Sequence, residues 1–497
     1  MQAVMGLDIG TSAVKAVLVE ARGGRPLAEA SSPLRLSTPH PGWAEQDPQD
    51  WWDALRTAGR KALSKSRLRP SQVLAVGLSG QMHSSVFLDA QGKVIRPALL
   101  WCDGRTTAEC RDIEATLGKD LARVTGNPAL EGFTLPKVLW LRRHEPQAFR
   151  RLAKVLLPKD YIRYRLSGEL LSEPSDASAT LMFDLRLRAF SPRILTALKL
   201  SPGLVPGLGR SEGVCGRLNR EGARALGLAE GTPIAGGGAD NACGALAVGL
   251  AAPGDAVASW GSSGTVLSVT RAPRSDRALR VHAFCHAAEG LYYSMGVTLS
   301  AGASVAWYGR ELARDLKAPR EPELNREAAA VAPGAEGLSF LPYLQGERTP
   351  HRDASARGAL VGLSLAHTRA HVSRAVIEGV AFALKDSLEI LRKDLGLPLR
   401  RVLLTGGGAR SPWLRKLQSE VYGLPVAMPL GEPGPAQGAA LLAACAAGAH
   451  RDVASACRAW VKLGPTERPG AREIKAYRAP YARFQSLYPA LRGRFQG

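Results

Sequence analysis

The first twenty residues form a hydrophobic and polar pattern that predicts a β-hairpin. Residues 4–9 and 13–19 are two aliphatic runs, and a short polar segment, residues 10–12, separates them. Apolar runs joined by a glycine-containing turn are typical of paired strands. A glycine lets the backbone approach an anion closely, hydroxyl groups add donors, and Asp8 at the strand end can hold a divalent cation. The turn therefore predicts a phosphate and magnesium site, although an ordinary solvated turn has the same pattern.

The same pattern recurs about half a chain later. Residues 255–260 and 265–269 are again apolar runs, separated by a Gly-Ser-Ser-Gly turn. The repeat predicts an internal duplication, in which two hairpins face one cleft and offer backbone donors to the phosphates of a nucleotide. Further on, a predicted strand at 401–405 runs into three glycines and a helix from about Ser411, which also suits close approach of a nucleotide.

The rest of the chain predicts strands and helices of an α/β protein. Continuous apolar runs predict buried strands at 73–78, 98–101 and 154–157, and helical spacing or helix start signals predict helices at 49–64, 132–144 and from 434. Residues 172–180 are small and polar, which predicts a loop.

Two predicted strands deliver polar side chains at their carboxyl ends, where α/β proteins tend to bind ligands. Met82 and His83 follow the first of these strands, and Asp103 with Arg105 follows the second. An aspartate and an arginine two residues apart offer an acceptor and a bidentate donor to a polyhydroxyl ligand, and they can equally form a local salt bridge. His83 can likewise be a structural histidine whose hydrogen bonds are satisfied within the fold.

The clearest chemical stretch of the first half combines three glycines with an aspartate. Residues 236–238 lack the side chains that would block a ligand, and Asp240 then opens a predicted helix of small residues. A carboxylate in this place can orient and deprotonate a hydroxyl group during phosphoryl transfer. The competing interpretation is an aspartate that caps its helix in a tight turn. Because the glycines stand beside it, we favour the catalytic role.

Composition narrows the class of protein. The 497 residues are 45% hydrophobic and 22% charged, which predicts an ordered globular chain of two or more domains. The formal net charge is +21, but the basic residues are scattered, so we expect a solvated basic surface and no nucleic-acid partner. Seven cysteines without a C-x-x-C pair argue against zinc fingers and a disulfide scaffold. The N-terminus lacks a signal pattern and the longest apolar stretch is too short to span a bilayer, so we expect a cytoplasmic protein.

Taken together, these segments resemble the FGGY family of carbohydrate kinases along nearly the whole chain, and within it the members that phosphorylate xylulose. The matching motifs are residues 8–12, 42–48, 81–83, 101–105, 132–144, 341–350, 358–363 and 371–378. Their number and order make the resemblance highly specific. Three positions depart from the pattern: Cys102 replaces an asparagine, Ser84 replaces a glycine, and Ser262 with Ser263 replaces a Thr-Ser pair.

The resemblance implies an α/β protein with two ribonuclease H-like domains of the actin and hexokinase type, residues 1–247 and 248–497, and an active-site cleft between them. It implies ATP-dependent phosphorylation of D-xylulose to D-xylulose 5-phosphate in pentose catabolism, with Mg²⁺. The alternatives are a kinase for another pentulose such as ribulose, and a catalytically silent sugar-binding regulator. A homodimer is a further implication of the resemblance.

Carried over residue by residue, the resemblance and the reasoning above assign these positions to the site. Asp240 is the catalytic base; Met82, His83, Asp103, Arg105, Asp240 and Asn241 contact the sugar; Gly10, Thr11, Ser12, Lys15, Gly261, Ser262, Ser263, Trp307, Gly407, Gly408 and Ala409 contact ATP; and Asp8 and Asp240 contact the metal. For Trp307, packing in the core is an alternative.

Overall fold

The computed structural model describes residues 1–495, which form two large central sheets with flanking helices. The strands are β1 Ala3–Ile9, β2 Ala13–Glu20, β3 Pro26–Pro33, β4 Glu45–Gln46, β5 Val73–Gly80, β6 Val86–Leu88, β7 Ala98–Leu99, β8 Lys154–Leu156, β9 Leu171–Ser172, β10 Phe183–Asp184, β11 Ala189–Phe190, β12 Gly207–Leu208, β13 Val214–Arg217, β14 Pro233–Ala235, β15 Gly238–Ala239, β16 Asp255–Trp260, β17 Gly264–Thr270, β18 His282–Cys285, β19 Tyr292–Thr298, β20 Ser339–Leu341, β21 Ala359–Val361, β22 Arg401–Thr405 and β23 Val426–Ala427. The α-helices are α1 Pro48–Ser66, α2 Thr107–Leu117, α3 Lys119–Thr125, α4 Thr134–His144, α5 Pro146–Arg151, α6 Pro158–Ser167, α7 Pro174–Ala177, α8 Pro192–Ala197, α9 Arg220–Leu226, α10 Asp240–Ala247, α11 Gly302–Glu311, α12 Glu321–Ala329, α13 Arg369–Glu389, α14 Pro412–Tyr422, α15 Pro435–Ala446, α16 Val453–Trp460, α17 Ala471–Ala476 and α18 Arg478–Phe495.

The two large sheets share one strand arrangement. The first has the order β13-β14-β5-β1-β2-β3 with β15 beside β5, and the second has the order β18-β19-β17-β16-β22-β23. In each sheet an antiparallel hairpin, β1–β2 or β16–β17, has a further antiparallel strand on one side and a parallel strand, β5 or β22, on the other. The internal duplication predicted from the two hairpins is therefore present in the fold.

Burial explains why these sequences form these elements. Every residue of β1 is buried, as the continuous apolar run of a central strand requires. Helix α1 buries Trp51, Trp52, Leu55 and Ala58, whose helical spacing puts them on one face. Asp47 begins that helix by accepting the backbone N–H of Gln49 at 2.9 Å.

Helix α15 belongs to the C-terminal half of the chain but packs on the first sheet. Gly6 of β1 and Gly77 of β5 face it, and a Cβ built at Gly77 would lie 2.6 Å from the carbonyl carbon of Ala439. On another face of α15, a Cβ at Gly438 would lie 2.6 Å from the carbonyl carbon of Cys243 in α10. These glycines let α15 lie in direct backbone contact with β1, β5 and α10, the elements that lead into the site described below.

Strands β18 and β19 of the second sheet also contact the first half. The side-chain amide of Asn127 donates to the Ala283 carbonyl at 2.8 Å, and the Ser178 hydroxyl accepts the Cys285 N–H at 3.0 Å. Apolar side chains from residues 177–185 and from these two strands share one cluster. The two halves are thus joined on one side of the cleft, and the division of domains at residue 247 stays a prediction.

The predicted loop at 172–180 is wrong. This segment contains the end of β9, helix α7 and a 3₁₀ turn at Ser178–Thr180, and its polar side chains are buried. Glu173 accepts the backbone N–H groups of Ser175 and Asp176 at the start of α7, and the Lys159 ammonium lies 3.3 Å from the carboxylates of Glu173 and Asp176. Small polar residues indicate a loop when water satisfies them, whereas here the hydroxyl groups of Ser175, Ser178 and Thr180 donate to groups within the fold.

The other elements predicted above agree with the structure to within two residues at each end. Within residues 1–495, no helix has the length and apolar character needed to cross a membrane.

Candidate active site

Three strand ends meet where β1, β5 and β15 lie side by side. Asp8 pairs with Ser79 across β1 and β5, and Ser79 pairs with Gly238 across β5 and β15. Adjacent strands are about 4.8 Å apart, so Asp8 lies on one side of the end of β5 and Asp240, just beyond β15, lies on the other. The structure therefore brings together the two carboxylates that the sequence singled out.

Asp240 is the first residue of α10, and the N-cap position belongs to Ala239. The interpretation of Asp240 as the capping residue is therefore wrong. Its Oδ1 atom accepts the backbone N–H of Asn241 at 2.6 Å and the side-chain amide of Asn241 at 2.9 Å, whereas Oδ2 has no partner in the described chain. Burial, reinforced by the negative charge of Asp8, raises the pKa of Asp240 to about 7. A carboxylate with a near-neutral pKa suits a general base.

Asp8 carries a carboxylate oxygen that nothing in the described chain satisfies, because its Oδ1 atom is buried without a hydrogen-bond partner. Burial raises the pKa of Asp8 to about 6, and Lys15 on the paired strand and Ser79 partly offset this rise. Among residues 1–495, no group of three or more His, Cys, Asp or Glu could hold a metal by itself. An orphaned carboxylate oxygen fits Mg²⁺, which nucleotide sites bind through one or two carboxylates, water and the phosphates.

Met82 connects the two halves of the chain. Its sulfur lies 3.4 Å from Nδ2 of Asn241 and 3.8 Å from the hydroxyl oxygen of Tyr293 on β19. Met82 is 3% exposed, so it forms part of the wall between these two residues and presents little free surface.

His83 has a left-handed backbone, with φ 65°. Its Nδ1 atom lies 2.7 Å from the carbonyl oxygen of Ala179, and because a carbonyl only accepts, Nδ1 carries the proton. The ring packs on Phe133 with a centroid distance of 4.3 Å. Burial lowers the pKa of His83 to about 3, so the ring is neutral and Nε2 is an acceptor. Nε2 has no partner in the described chain, which leaves it able to accept a hydrogen bond from a hydroxyl group.

Asp103 and Arg105 form the local salt bridge that was the alternative to a sugar contact. The Arg105 guanidinium donates to the two oxygens of Asp103 at 2.8 and 2.7 Å and lies 2.7 Å from Glu45. It also stacks over Trp43, 3.6 Å from the ring centroid. Asp103 accepts the N–H of Ala44 at 2.6 Å, and the paired side chains are at most 1% exposed. These contacts engage both side chains inside the protein, so neither side chain is presented to a sugar.

Two residues outside the predicted set lie at the site. Trp101 is 43% exposed and donates its indole N–H to the Thr11 hydroxyl at 2.9 Å, beside the first glycine turn. Lys137 is fully buried, and its Nζ atom donates to the carbonyl oxygens of His83 at 3.0 Å and Gly132 at 2.6 Å. Burial lowers the pKa of Lys137 to about 7. Both residues belong to motifs at 101–105 and 132–144, which were the available signal, but a motif does not reveal what its side chains contact.

The glycine turns of the second half lie at neighbouring strand ends. Ser259 pairs with Thr405 across β16 and β22, so the turn at 261–263 and the turn at 406–408 leave the sheet side by side. Of the predicted nucleotide residues, Ser12, Lys15, Ser262, Ser263 and Gly407 are exposed, Gly10, Thr11, Gly261 and Trp307 are partly exposed, and Gly408 and Ala409 are buried. Trp307 is partly buried against the core of the second half, which fits the alternative of core packing, and its contact with ATP stays a prediction.

Comparison of the sequence with known protein families identifies the family of this chain. Residues 3–247 match the N-terminal domain and residues 256–447 the C-terminal domain of the FGGY family of carbohydrate kinases. The chain belongs to this FGGY family. As a member, it is a carbohydrate kinase with ATP as its phosphate donor, and its two duplicated sheets form the actin and hexokinase type of fold.

Individual FGGY relatives cover the whole chain. Xylulose kinases of Bacillus subtilis strain 168 and Escherichia coli strain K12 are 38% identical over 490 residues and 39% identical over 488 residues, and the alignments cover 98% of this chain and 97% and 99% of theirs. The crystal structure of xylulose kinase from Rhodospirillum rubrum is 32% identical, with a TM-score of 0.92 and full coverage of both chains.

Proposed function

We propose that this FGGY kinase transfers the γ-phosphate of ATP to the 5-hydroxyl group of D-xylulose, giving D-xylulose 5-phosphate for pentose catabolism. The choice of sugar is supported by the full-length relatives, which are xylulose kinases. The observation that carries the chemistry is the Asp240 carboxylate, whose pKa is raised to about 7 where it lies across the end of β5 from Asp8.

Asp240 acts as the general base in this proposal. Asn241 holds Oδ1 with two hydrogen bonds, so Oδ2 is the oxygen available to take the proton of the attacking hydroxyl group. The hydroxyl oxygen then bonds to the γ-phosphorus, the bond from that phosphorus to the β–γ bridging oxygen breaks, and ADP leaves. Phosphoryl transfer depends mainly on alignment and charge stabilisation, which a fixed base and two phosphate-binding turns provide.

The metal and nucleotide complete the site. Asp8 would hold Mg²⁺ through its unpartnered oxygen, while Oδ2 of Asp240 stays free to take the proton; when bound, the metal neutralises charge on the phosphates. The phosphates are assigned to the turns at 10–12 and 261–263, with Lys15 near the first, and the nucleoside to Gly407, Gly408, Ala409 and Trp307. These assignments are supported by the position of the turns. Each turn directly follows the carboxyl end of a strand, which is β1, β16 or β22.

The sugar is assigned to Met82, His83 and Asn241. Ser84, which departs from the family pattern, is buried. Its hydroxyl group donates to Gln81 at 3.1 Å and accepts the N–H of Trp101 at 3.0 Å, so its hydrogen bonds are made inside the protein. Cys102, the other departure, is exposed, and the relatives, which are xylulose kinases, do not favour the alternative of ribulose or another pentulose. The presence of Asp8 and Asp240 argues against a catalytically silent regulator.

A substrate panel tests the proposal. Purified protein is given ATP, Mg²⁺ and D-xylulose, D-ribulose, L-ribulose, glycerol or gluconate, and ADP release is followed with a coupled assay. We expect the highest kcat/KM with D-xylulose. A higher value with another sugar contradicts the choice of substrate but leaves the kinase assignment intact, whereas turnover with none of them supports the regulator.

We further propose a cytoplasmic homodimer, on the family resemblance. Size-exclusion chromatography with light scattering tests the assembly, because a dimer has twice the chain mass of 52.8 kDa.

A further inference from the structure

The backbone of His83 carries a conformational cost that its surroundings must offset. Its φ of 65° places a non-glycine residue in the left-handed region, directly after β5. Few non-glycine residues adopt this conformation, and those that do are held by surrounding contacts. The hydrogen bond from Nδ1 to Ala179 and the packing on Phe133 fix the ring, but neither contact fixes the peptide group.

Two side chains from the first turn of α4 hold that peptide group. The Thr134 hydroxyl and the Lys137 ammonium both donate to the carbonyl oxygen of His83, each at 3.0 Å. Lys137 also donates to the Gly132 carbonyl at 2.6 Å, which ties the start of α4 to the same point. The His83 carbonyl thus accepts two hydrogen bonds from the first turn of α4.

In the described part of the chain, the hydrogen-bond acceptors of Lys137 are these two carbonyls. Lys137 is 0% exposed, and within residues 1–495 it has no carboxylate at salt-bridge distance. Charging a buried lysine without a salt-bridge partner is costly, and burial accordingly lowers the pKa of Lys137 to about 7, so its hydrogen bonds and the nearby negative charge of Asp103 are the compensation that the fold provides. By contrast, Lys159 is equally buried but contacts three carboxylates, those of Asp160, Glu173 and Asp176.

We propose that Lys137 and Thr134 are positioning residues for the sugar: by holding the His83 carbonyl, they keep the His83 backbone left-handed and its Nε2 atom available to a sugar hydroxyl. Neither residue touches the reacting atoms. The inference rests on the proposed function only in that His83 contacts the sugar. Because His83 would accept the same hydrogen bond before and during transfer, loss of its position should raise KM for the sugar and change kcat little.

Two variants and two controls test the proposal by steady-state kinetics. Thr134→Val keeps the shape of the side chain and removes the donor, Thr134→Ser restores the donor, and Lys137→Met keeps an unbranched chain without the ammonium. Lys154→Met is the matched control, because the Nζ atom of Lys154 donates to the Val205 carbonyl at 3.0 Å, away from His83. Crystal structures of Thr134→Val and Lys137→Met give a readout that does not depend on activity.

We expect Thr134→Val to raise KM for D-xylulose about fivefold, the factor that one hydrogen bond corresponds to, and Lys137→Met to raise it about tenfold or more, because it removes the bonds to both the His83 and the Gly132 carbonyls. KM for ATP should stay within about twofold, Thr134→Ser and Lys154→Met should resemble the wild type, and φ of His83 should change in both crystal structures.

Unchanged KM for D-xylulose in both variants, or an unchanged His83 in both structures, would overturn the positioning role. Equal rises in both KM values would also overturn it, because they indicate general damage. If His83 moves in the variants but the wild type phosphorylates no sugar, the positioning role stands and the proposed function fails.

Discussion

Replacing Gly438 by alanine tests whether α15 is in direct backbone contact with α10, the helix that begins at Asp240. A Cβ at this position would lie 2.6 Å from the carbonyl carbon and 2.8 Å from the Cα of Cys243. Both atoms belong to the backbone of α10, so no side-chain rotation can make room. The two helices would have to separate.

The size of the effect follows from these distances. Non-bonded carbon atoms prefer separations of about 3.5–4.0 Å, so the helices must move apart by about 1 Å. Overpacking in a core costs about 1–3 kcal/mol, and we take the upper end because α15 is also held against Gly6 and Gly77 of the sheet. For a cooperative unit of 150–250 residues, about 3 kcal/mol lowers Tm by about 6–12 °C.

Gly244, one turn after Asp240 on α10, supplies the matched control. A Cβ at Gly244 meets nothing within 4 Å, so Gly244→Ala should stabilise α10 by about 1 kcal/mol and raise Tm by about 2–4 °C. Thermal unfolding of the ligand-free variants, followed by circular dichroism, distinguishes the two substitutions. A Gly438→Ala protein that melts within about 1 °C of the wild type would refute direct contact between the helices.

Two further predictions follow from the site. Burial and Asp8 raise the pKa of Asp240 to about 7, and a general base must be deprotonated to act. We therefore expect kcat/KM for D-xylulose to fall about tenfold per pH unit below about pH 7. A profile that stays flat down to pH 5 would contradict this role. Replacing Arg105 by methionine leaves the buried carboxylate of Asp103 without its salt-bridge partner, whereas Glu45 keeps Arg96, so the free energy of unfolding should fall by about 3 kcal/mol or more. Replacement of Arg56 by methionine is the control, because Arg56 pairs with Asp53 where both side chains are half exposed. This variant should keep Tm within about 2 °C of the wild type. An equal loss of stability in both variants would show that the buried ion pair contributes no more than the exposed one.

Local patterns were sufficient to predict the parts of the site that the chain builds from neighbouring residues. The turn at 10–12 and the turn at 261–263 were found because strand periodicity stops at glycine. Asp240 stood out because three glycines precede it. In each case the predicted site residues lie on one strand end and the turn that follows it, so sequence distance and spatial distance coincide.

Contacts between distant segments could not be read from the same patterns. The carboxylate of Asp103 accepts the N–H of Ala44, 59 residues earlier, and pairs with Arg105. Two residues that the sequence predicted to contact the sugar therefore form a buried ion pair. The alanine-rich run from 434 predicted a helix, but nothing in it showed that this helix packs on β1, β5 and α10. Lys137 lies in a motif, yet only the fold shows that its ammonium reaches the His83 carbonyl.

The central claim is that Asp240 takes the proton of the sugar hydroxyl, and Asp240→Asn tests it most directly. Asparagine keeps the volume of the side chain and an oxygen that can accept the N–H groups of Asn241, but it cannot accept a proton. The measurement is kcat with D-xylulose and saturating ATP, with ATP affinity and Tm as controls for an intact fold. We expect kcat to fall by at least about 10²-fold with both controls largely unchanged. A folded Asp240→Asn enzyme with near wild-type kcat would contradict the claim.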